Sequence, residues 1–136
     1  MAGGCWLVKQ EPTKYAFADL VRDKRTMWEG VRNFQARNNL AAMRRGDPVL
    51  FYRSVEDPAA VGVCEVVKEA YPDPTADDPR WLAVDLKAVR ALGTPVTLAQ
   101  IKAEPALRDI PLLRQSRLSV MPLPRAAFER IVKLGG

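Results

Sequence analysis

WEGVRNFQARNNL, residues Trp28 to Leu40, places an indole and a glycine among two arginines, three asparagines and a glutamine. In an amphipathic helix apolar residues recur every three to four positions, whereas Trp28, Val31 and Phe34 fall at a strict three with Gly30 between them. A helical stripe starts only at Gln35, with Ala36, Leu40 and Met43 spaced by four and three, and Arg44, Arg45 and Gly46 mark its stop. The first half therefore reads as an irregular loop feeding a helix. Loops that carry Trp, Arg and Asn on a rigid scaffold are more often binding sites than struts.

The flanking segments supply that scaffold. Cys5 to Lys9 is a short apolar run halted at Glu11-Pro12, hence a strand, and Phe17, Leu20 and Val21 space as a short helix. Pro48 to Ser54, bounded by Gly46-Asp47 and Asp57-Pro58, forms a hairpin with Val61 to Ala70, which runs into Tyr71-Pro72-Asp73-Pro74, a composition that suits an exposed turn. Trp81 to Leu92 alternates, with Leu82, Val84, Leu86 and Ala88 on one face and Asp85 and Lys87 on the other. Thr97 caps a helix through Lys102, Ala106 to Leu113 fits neither template, and Arg117 to Leu123 is a further strand before a closing helix opened by Pro124. Phe34 and Phe51 belong in the core on this reading, and Asn38, Asn39, Arg44 and Arg45 on a solvated helix face. Non-adjacent strands with helices between them predict an α+β fold: a strongly bent mixed sheet, or pseudo-barrel, with peripheral helices.

The 136 residues suit one domain spanning 1–136, and 48% apolar with 27% charged residues is a folded composition. There is no run of about eighteen apolar residues and no basic-then-apolar leader, so the expectation is a cytoplasmic protein that does not engage a membrane. Histidine is absent, which removes Ser-His-Asp and Cys-His nucleophile systems. With only Cys5 and Cys64, each in an apolar run that suits a buried thiol, zinc lacks its usual ligands, so neither metal nor cofactor is expected. The net charge is +5, and basic residues gather at Arg22 to Arg25, Arg32 to Arg45 and Arg108 to Arg117, a balance that favours a polyanionic partner.

Three polar-aromatic clusters, Trp6 to Glu11, Trp28 to Arg37 and Tyr52 to Ser54, lie where strands end or helices begin. Brought together they make a pocket with flat faces and amide and hydroxyl groups, the inventory for a nucleobase read by stacking and along its edge. Stacking contributes about 1–3 kcal/mol per base, enough to offset the few that base extrusion costs. Taken alone, Trp6 and Trp81 at strand starts suit core or rim packing better than a ligand platform. Glu11, Glu29 and Asp47 show no close carboxylate partner, which argues against catalysis.

The pieces WLVKQEP at Trp6 to Pro12, WEGVRNFQARNNLAAMRRGD at Trp28 to Asp47, VLFYRS at Val49 to Ser54, GVCEVVKEAYPD at Gly62 to Asp73 and RLSVMPL at Arg117 to Leu123 run through nearly the whole chain. In this order they resemble the EVE domain family. The resemblance implies a PUA-like fold of about five to six strands, related to the YTH readers of methylated adenine, with a pocket for a modified base, and in EVE members for modified cytosine. The family pocket carries over onto Trp6, Lys9, Trp28, Val31, Arg32, Asn33, Gln35, Tyr52 and Ser54, and less closely onto Arg117 and Ser119. This chain departs from the pattern at Gln10, usually a small hydroxyl residue, and at Arg53, usually a histidine.

The resulting expectation is a non-enzymatic, monomeric reader of modified DNA or RNA, working alone or beside a partner nuclease or modification protein. Trp6 and Trp28 stack; Asn33, Gln35 and Ser54 read the edge; Lys9, Arg32 and Arg37 orient the pocket or hold phosphate. Replacing Trp28 by Ala then removes base preference with little change in melting temperature. The rival reading is a sensor of, or an enzyme acting on, a free small molecule such as a nucleotide or metabolite.

Overall fold

A computed structural model describes residues 4–136; the first three residues of the expected domain lie outside that range. In chain order the elements are β1 (Cys5–Gln10), α1 (Phe17–Asp23), β2 (Arg25–Trp28), α2 (Phe34–Ala42), β3 (Pro48–Arg53), β4 (Ala59–Pro72) and β5 (Leu82–Thr97). They are followed by α3 (Leu98–Ala103), a 3-10 turn (Pro105–Leu107), α4 (Pro111–Arg114), β6 (Val120–Leu123) and α5 (Arg125–Leu134).

One six-stranded sheet runs in the order β2-β5-β4-β3-β1-β6. The β1–β3 pair is parallel, because the chain between them crosses over through α1, β2 and α2, and every other pair is antiparallel. This is the expected α+β mixed sheet, and it stays open, with β2 and β6 at its edges. Its two long strands, β4 and β5, of 14 and 16 residues, shift register between Ala60 and Gly62, Val63 and Cys64, Val66 and Lys68, and Lys68 and Tyr71. Each irregularity adds local twist. The β6 edge is short and carries Pro122, which offers no N–H to a further strand.

A contiguous core joins Leu7 and Val8 of β1, Leu20 of α1, Leu40 of α2, Leu50 and Phe51 of β3, Leu86 of β5 and Ile131 of α5. Cys5 and Cys64 are buried free thiols, and burial pushes both above the ordinary thiol range. The Thr97 cap is present: its hydroxyl accepts the Gln100 N–H at 3.1 Å while Gln100 Oε1 accepts the Thr97 N–H at 2.9 Å. Among the described residues no helix is long and apolar enough to cross a membrane.

Several local readings are corrected. Arg25–Trp28 is not loop but an edge strand against β5, and only Val120–Leu123 of the Arg117 to Leu123 segment pairs. Ala106 to Leu113 falls in the 3-10 turn, a short link and α4. Phe34 is 55% exposed rather than core. Helix α2 buries Ala36 and Leu40, and Phe34, two positions before Ala36, lies about half a turn away on the opposite face. Asn39 is not simply solvated, since its Nδ2 donates to Val120 O at 2.7 Å and ties α2 to β6. Asp73, in the turn read as exposed, is 2% exposed.

Candidate nucleic-acid interface

The connection from β2 to α2 walls a cleft of about 350 Å3 lined by Lys9, Gln10, Lys14, Trp28, Glu29, Gly30, Val31, Arg32 and Ser119. Trp28 ends β2 and is 5% exposed; its ring meets that of Phe51 edge-on at 5.5 Å. The chain then turns at Gly30, whose φ of 82° is open to glycine and strained for other residues. The Gly30 N–H donates to Asp73 Oδ2 at 2.8 Å, and Arg32 Nη1 donates to the same oxygen at 3.0 Å. Asp73 Oδ1 accepts the Thr75 N–H at 2.7 Å and the Thr75 hydroxyl at 2.6 Å. Burial alone would raise the Asp73 carboxyl, but these bonds from Thr75, Gly30 and Arg32 outweigh it and hold it at about 2. The cleft wall is thus pinned by a carboxylate that is charged at neutral pH under the loop.

The expected site residues divide. Lys9, Trp28, Val31, Arg32 and Ser119 meet in the cleft. Lys9 also faces an adjoining hollow with Tyr52, Ser54 and Ser116. Its Nζ donates to Ser116 O at 2.7 Å, and burial pushes its pKa down. Tyr52 is buried there, which pushes its phenol up to about 12. Asn33, Gln35 and Arg117 line a third, shallower hollow that shares Ser116 with the second. Asn33 Oδ1 accepts the Ala36 N–H at 2.9 Å as the α2 cap, which leaves its Nδ2 and one lone pair of Oδ1 for a ligand.

The Trp6 assignment is corrected, and Arg37 is placed outside the cleft. Trp6 does not reach the cleft: it is 6% exposed, and its Nε1 donates at 2.8 Å to Asp47 Oδ2, which also accepts the Arg44 N–H at 2.8 Å. A buried carboxylate that satisfies the indole N–H marks this tryptophan as core. Arg37 lies outside the cleft beside Phe34, donating through Nη2 to Asn38 Oδ1 at 2.7 Å. The expectation for Trp28→Ala also changes, because Trp28 packs on Phe51 and its removal would leave a cavity.

The two departures from the family pattern also separate. Gln10 lines the cleft, whereas Arg53 does not; both line a distinct pocket of about 300 Å3 walled by Pro12, Phe17, Phe51, Val61 and Pro95. That pocket is mostly apolar and has little with which to read a base edge. Reading of the sequence did not single out Lys14 or Asp73, and it weighed Glu29 only as an acid or base and Gly30 only as a loop residue. The cue for Asp73 was local, an Asp followed two residues later by Thr75 in an Asx-type turn, but its loop partners lie 43 and 41 residues earlier. Among the described residues no group of three or more His, Cys, Asp or Glu could hold a metal.

An open, six-stranded mixed sheet with a polar cleft between its first strand and an edge strand defines a PUA-like domain. The YTH domain of Zygosaccharomyces rouxii MRB1, solved with N6-methyladenosine RNA, shares this fold with a TM-score of 0.59 at 17% identity, over 98% of this chain and 86% of its own. More specifically, the chain belongs to the EVE domain family, whose profile matches residues 4–134. Human thymocyte nuclear protein 1 is 34% identical over 95% of this chain and 72% of its own length. A Rhodopseudomonas palustris protein solved by NMR is 44% identical with a TM-score of 0.93, covering 98% of this chain and 93% of its own. Human THYN1 solved in complex with 5-methylcytosine-containing DNA is 34% identical with a TM-score of 0.90, covering 98% of each chain.

Proposed function

We propose that this domain is a non-enzymatic reader of a modified base in DNA, 5-methylcytosine first, which it takes out of the base stack into the Trp28 cleft. The observation that carries the reading is the cleft itself: one indole and a set of hydrogen-bonding groups around a space of about 350 Å3. Trp28 supplies a flat surface, and Val31, the one aliphatic side chain among the described lining residues, supplies apolar contact for a C5 methyl group. Glu29 suits the exocyclic amine of cytosine, since a carboxylate accepts from N4, and Gln10 and Ser119 suit the remaining edge. Lys14 lies at the same cleft for phosphate, while Arg32, paired with Asp73, holds the cleft wall in place. The similarity to human THYN1, solved with 5-methylcytosine DNA, supports the choice of polymer and base.

Non-enzymatic action is supported by what surrounds Ser119 and Lys9. There is no histidine to activate a nucleophile, and the Lys9 ammonium donates to Ser116 O. In this reading the domain works as a monomer in the cytoplasm and marks a site for a nuclease or modification partner, with modified RNA as the second polymer to test.

The experiment is a tryptophan-fluorescence titration with matched oligonucleotides carrying cytosine, 5-methylcytosine, 5-hydroxymethylcytosine or N6-methyladenine at two salt concentrations. A preference of about tenfold or more for 5-methylcytosine, with affinity falling as salt rises, is expected. Equal weak binding to all four overturns base reading. A flat salt response with binding of free nucleotides or metabolites would establish the small-molecule reading instead.

A further inference from the structure

Outside the cleft, Phe34 is 55% exposed and stacks on Trp81 with 4.8 Å between ring centroids and 25° between planes. The guanidinium of Arg37 lies 5.5 Å from the Phe34 centroid, and that of Arg32 lies 5.9 Å from the Trp81 centroid. Arg32 also lines the cleft, so this cation-edged aromatic plate begins where the cleft ends. Packing against Trp81 accounts for only part of Phe34: α2 buries Ala36 and Leu40 on its other side, and Phe34 stays 55% exposed. Among the described residues Arg37 donates only to neutral acceptors, Arg80 O at 3.4 Å and Asn38 Oδ1 at 2.7 Å, and its Nε is buried without a hydrogen-bond acceptor.

We propose that Phe34 is a duplex wedge: its ring enters the gap left in the stack when a base leaves for the cleft, and stacks on the neighbouring base. The inference rests on the base-reading proposal above. Extruding a base exposes the faces of its neighbours, and apolar side chains placed between base steps are a recurrent way of offsetting that loss. Phe34 suits the task because Trp81 fixes its plane, so little further ordering is needed on insertion. It stands three residues past Val31 of the cleft wall, and the Arg37 charge lies beside it for the adjoining phosphate.

Only a duplex has such a gap, and this sets the test. Wild type, Phe34→Ala and Phe34→Tyr are titrated with a duplex carrying one central 5-methylcytosine and with the corresponding single strand, after melting curves show that all three are folded. We expect Phe34→Ala to weaken duplex binding by about tenfold or more while single-strand binding stays within about twofold, and Phe34→Tyr to restore the duplex. Unchanged duplex affinity, or equal loss on both substrates, overturns the wedge while leaving base reading in place. A wild type that does not distinguish 5-methylcytosine from cytosine overturns base reading itself, and the wedge with it.

Discussion

Asp73 gathers four donors, the Gly30 and Thr75 amides, the Thr75 hydroxyl and Arg32 Nη1, and so fixes the loop that walls the cleft. Its carboxyl sits at about 2 against an ordinary 3.8, which means the folded state binds this proton less readily than the unfolded chain. The stability from this group is therefore complete above the unfolded value and drains as pH falls from 3.8 toward about 2. Asp73→Asn should lower stability by about 1–3 kcal/mol at neutral pH, because donors beneath the loop lose their acceptor. The gap to wild type in urea unfolding should close across that acid window, whereas a gap constant down to pH 2 would show that charge is not what holds the loop. Trp28, Val31, Arg32 and Lys9, which line one cleft, stood in the polar-aromatic clusters of the sequence, whereas Ser119 entered only through the family resemblance. Asp73 was not legible, since nothing in a Pro-Asp-Pro turn discloses partners on a distant loop. Trp6 misled for a related reason: an indole at a strand end looks the same whether its N–H faces a base or a buried Asp47.

The way α1 lies on the sheet depends on a missing side chain in β4. A Cβ added at Gly62 would come within 2.3 Å of the Phe17 ring, and Phe17 meets Phe51 at 5.4 Å, which in turn meets Trp28 at 5.5 Å. Three rings thus connect helix, central strand and cleft. Gly62→Ala should force Phe17 aside and cost about 1–3 kcal/mol, read as a lower melting temperature and an altered near-ultraviolet circular dichroism band for Trp28. Adding Phe17→Leu should recover part of the loss, and a wild-type melting temperature for Gly62→Ala would mean that β4 yields instead of the ring. Alternation made β5 readable from sequence, and Thr97 with Gln100 announced the α3 start. Edge strand β2 was not readable, because Arg25–Trp28 is too short to show a period and is defined by pairing with β5. The register shifts between β4 and β5 leave no compositional trace, and the expected curvature rested on the need to hide edges rather than on any residue.

Across the whole molecule, the proposed function makes charge the property that meets a nucleic acid before any base is read. The net charge is +5, yet Arg22, Arg25, Arg32, Arg80, Arg114 and Arg130 each face a carboxylate within the fold and offer a partner less free charge. Arg117 differs: it is exposed beside Asn33 and Gln35, one hollow away from the cleft, and has no ion-pair partner among the described residues. A cation so placed suits phosphate, and phosphate contacts fix position without carrying sequence information. Arg117→Gln should therefore weaken binding to modified and unmodified oligonucleotides alike and flatten the logarithmic dependence of affinity on salt by about one unit of slope. The ratio between 5-methylcytosine and cytosine should not move. If that ratio falls while the salt slope stays, Arg117 reaches the base, and the recognition surface extends from the Trp28 cleft into the Asn33 hollow.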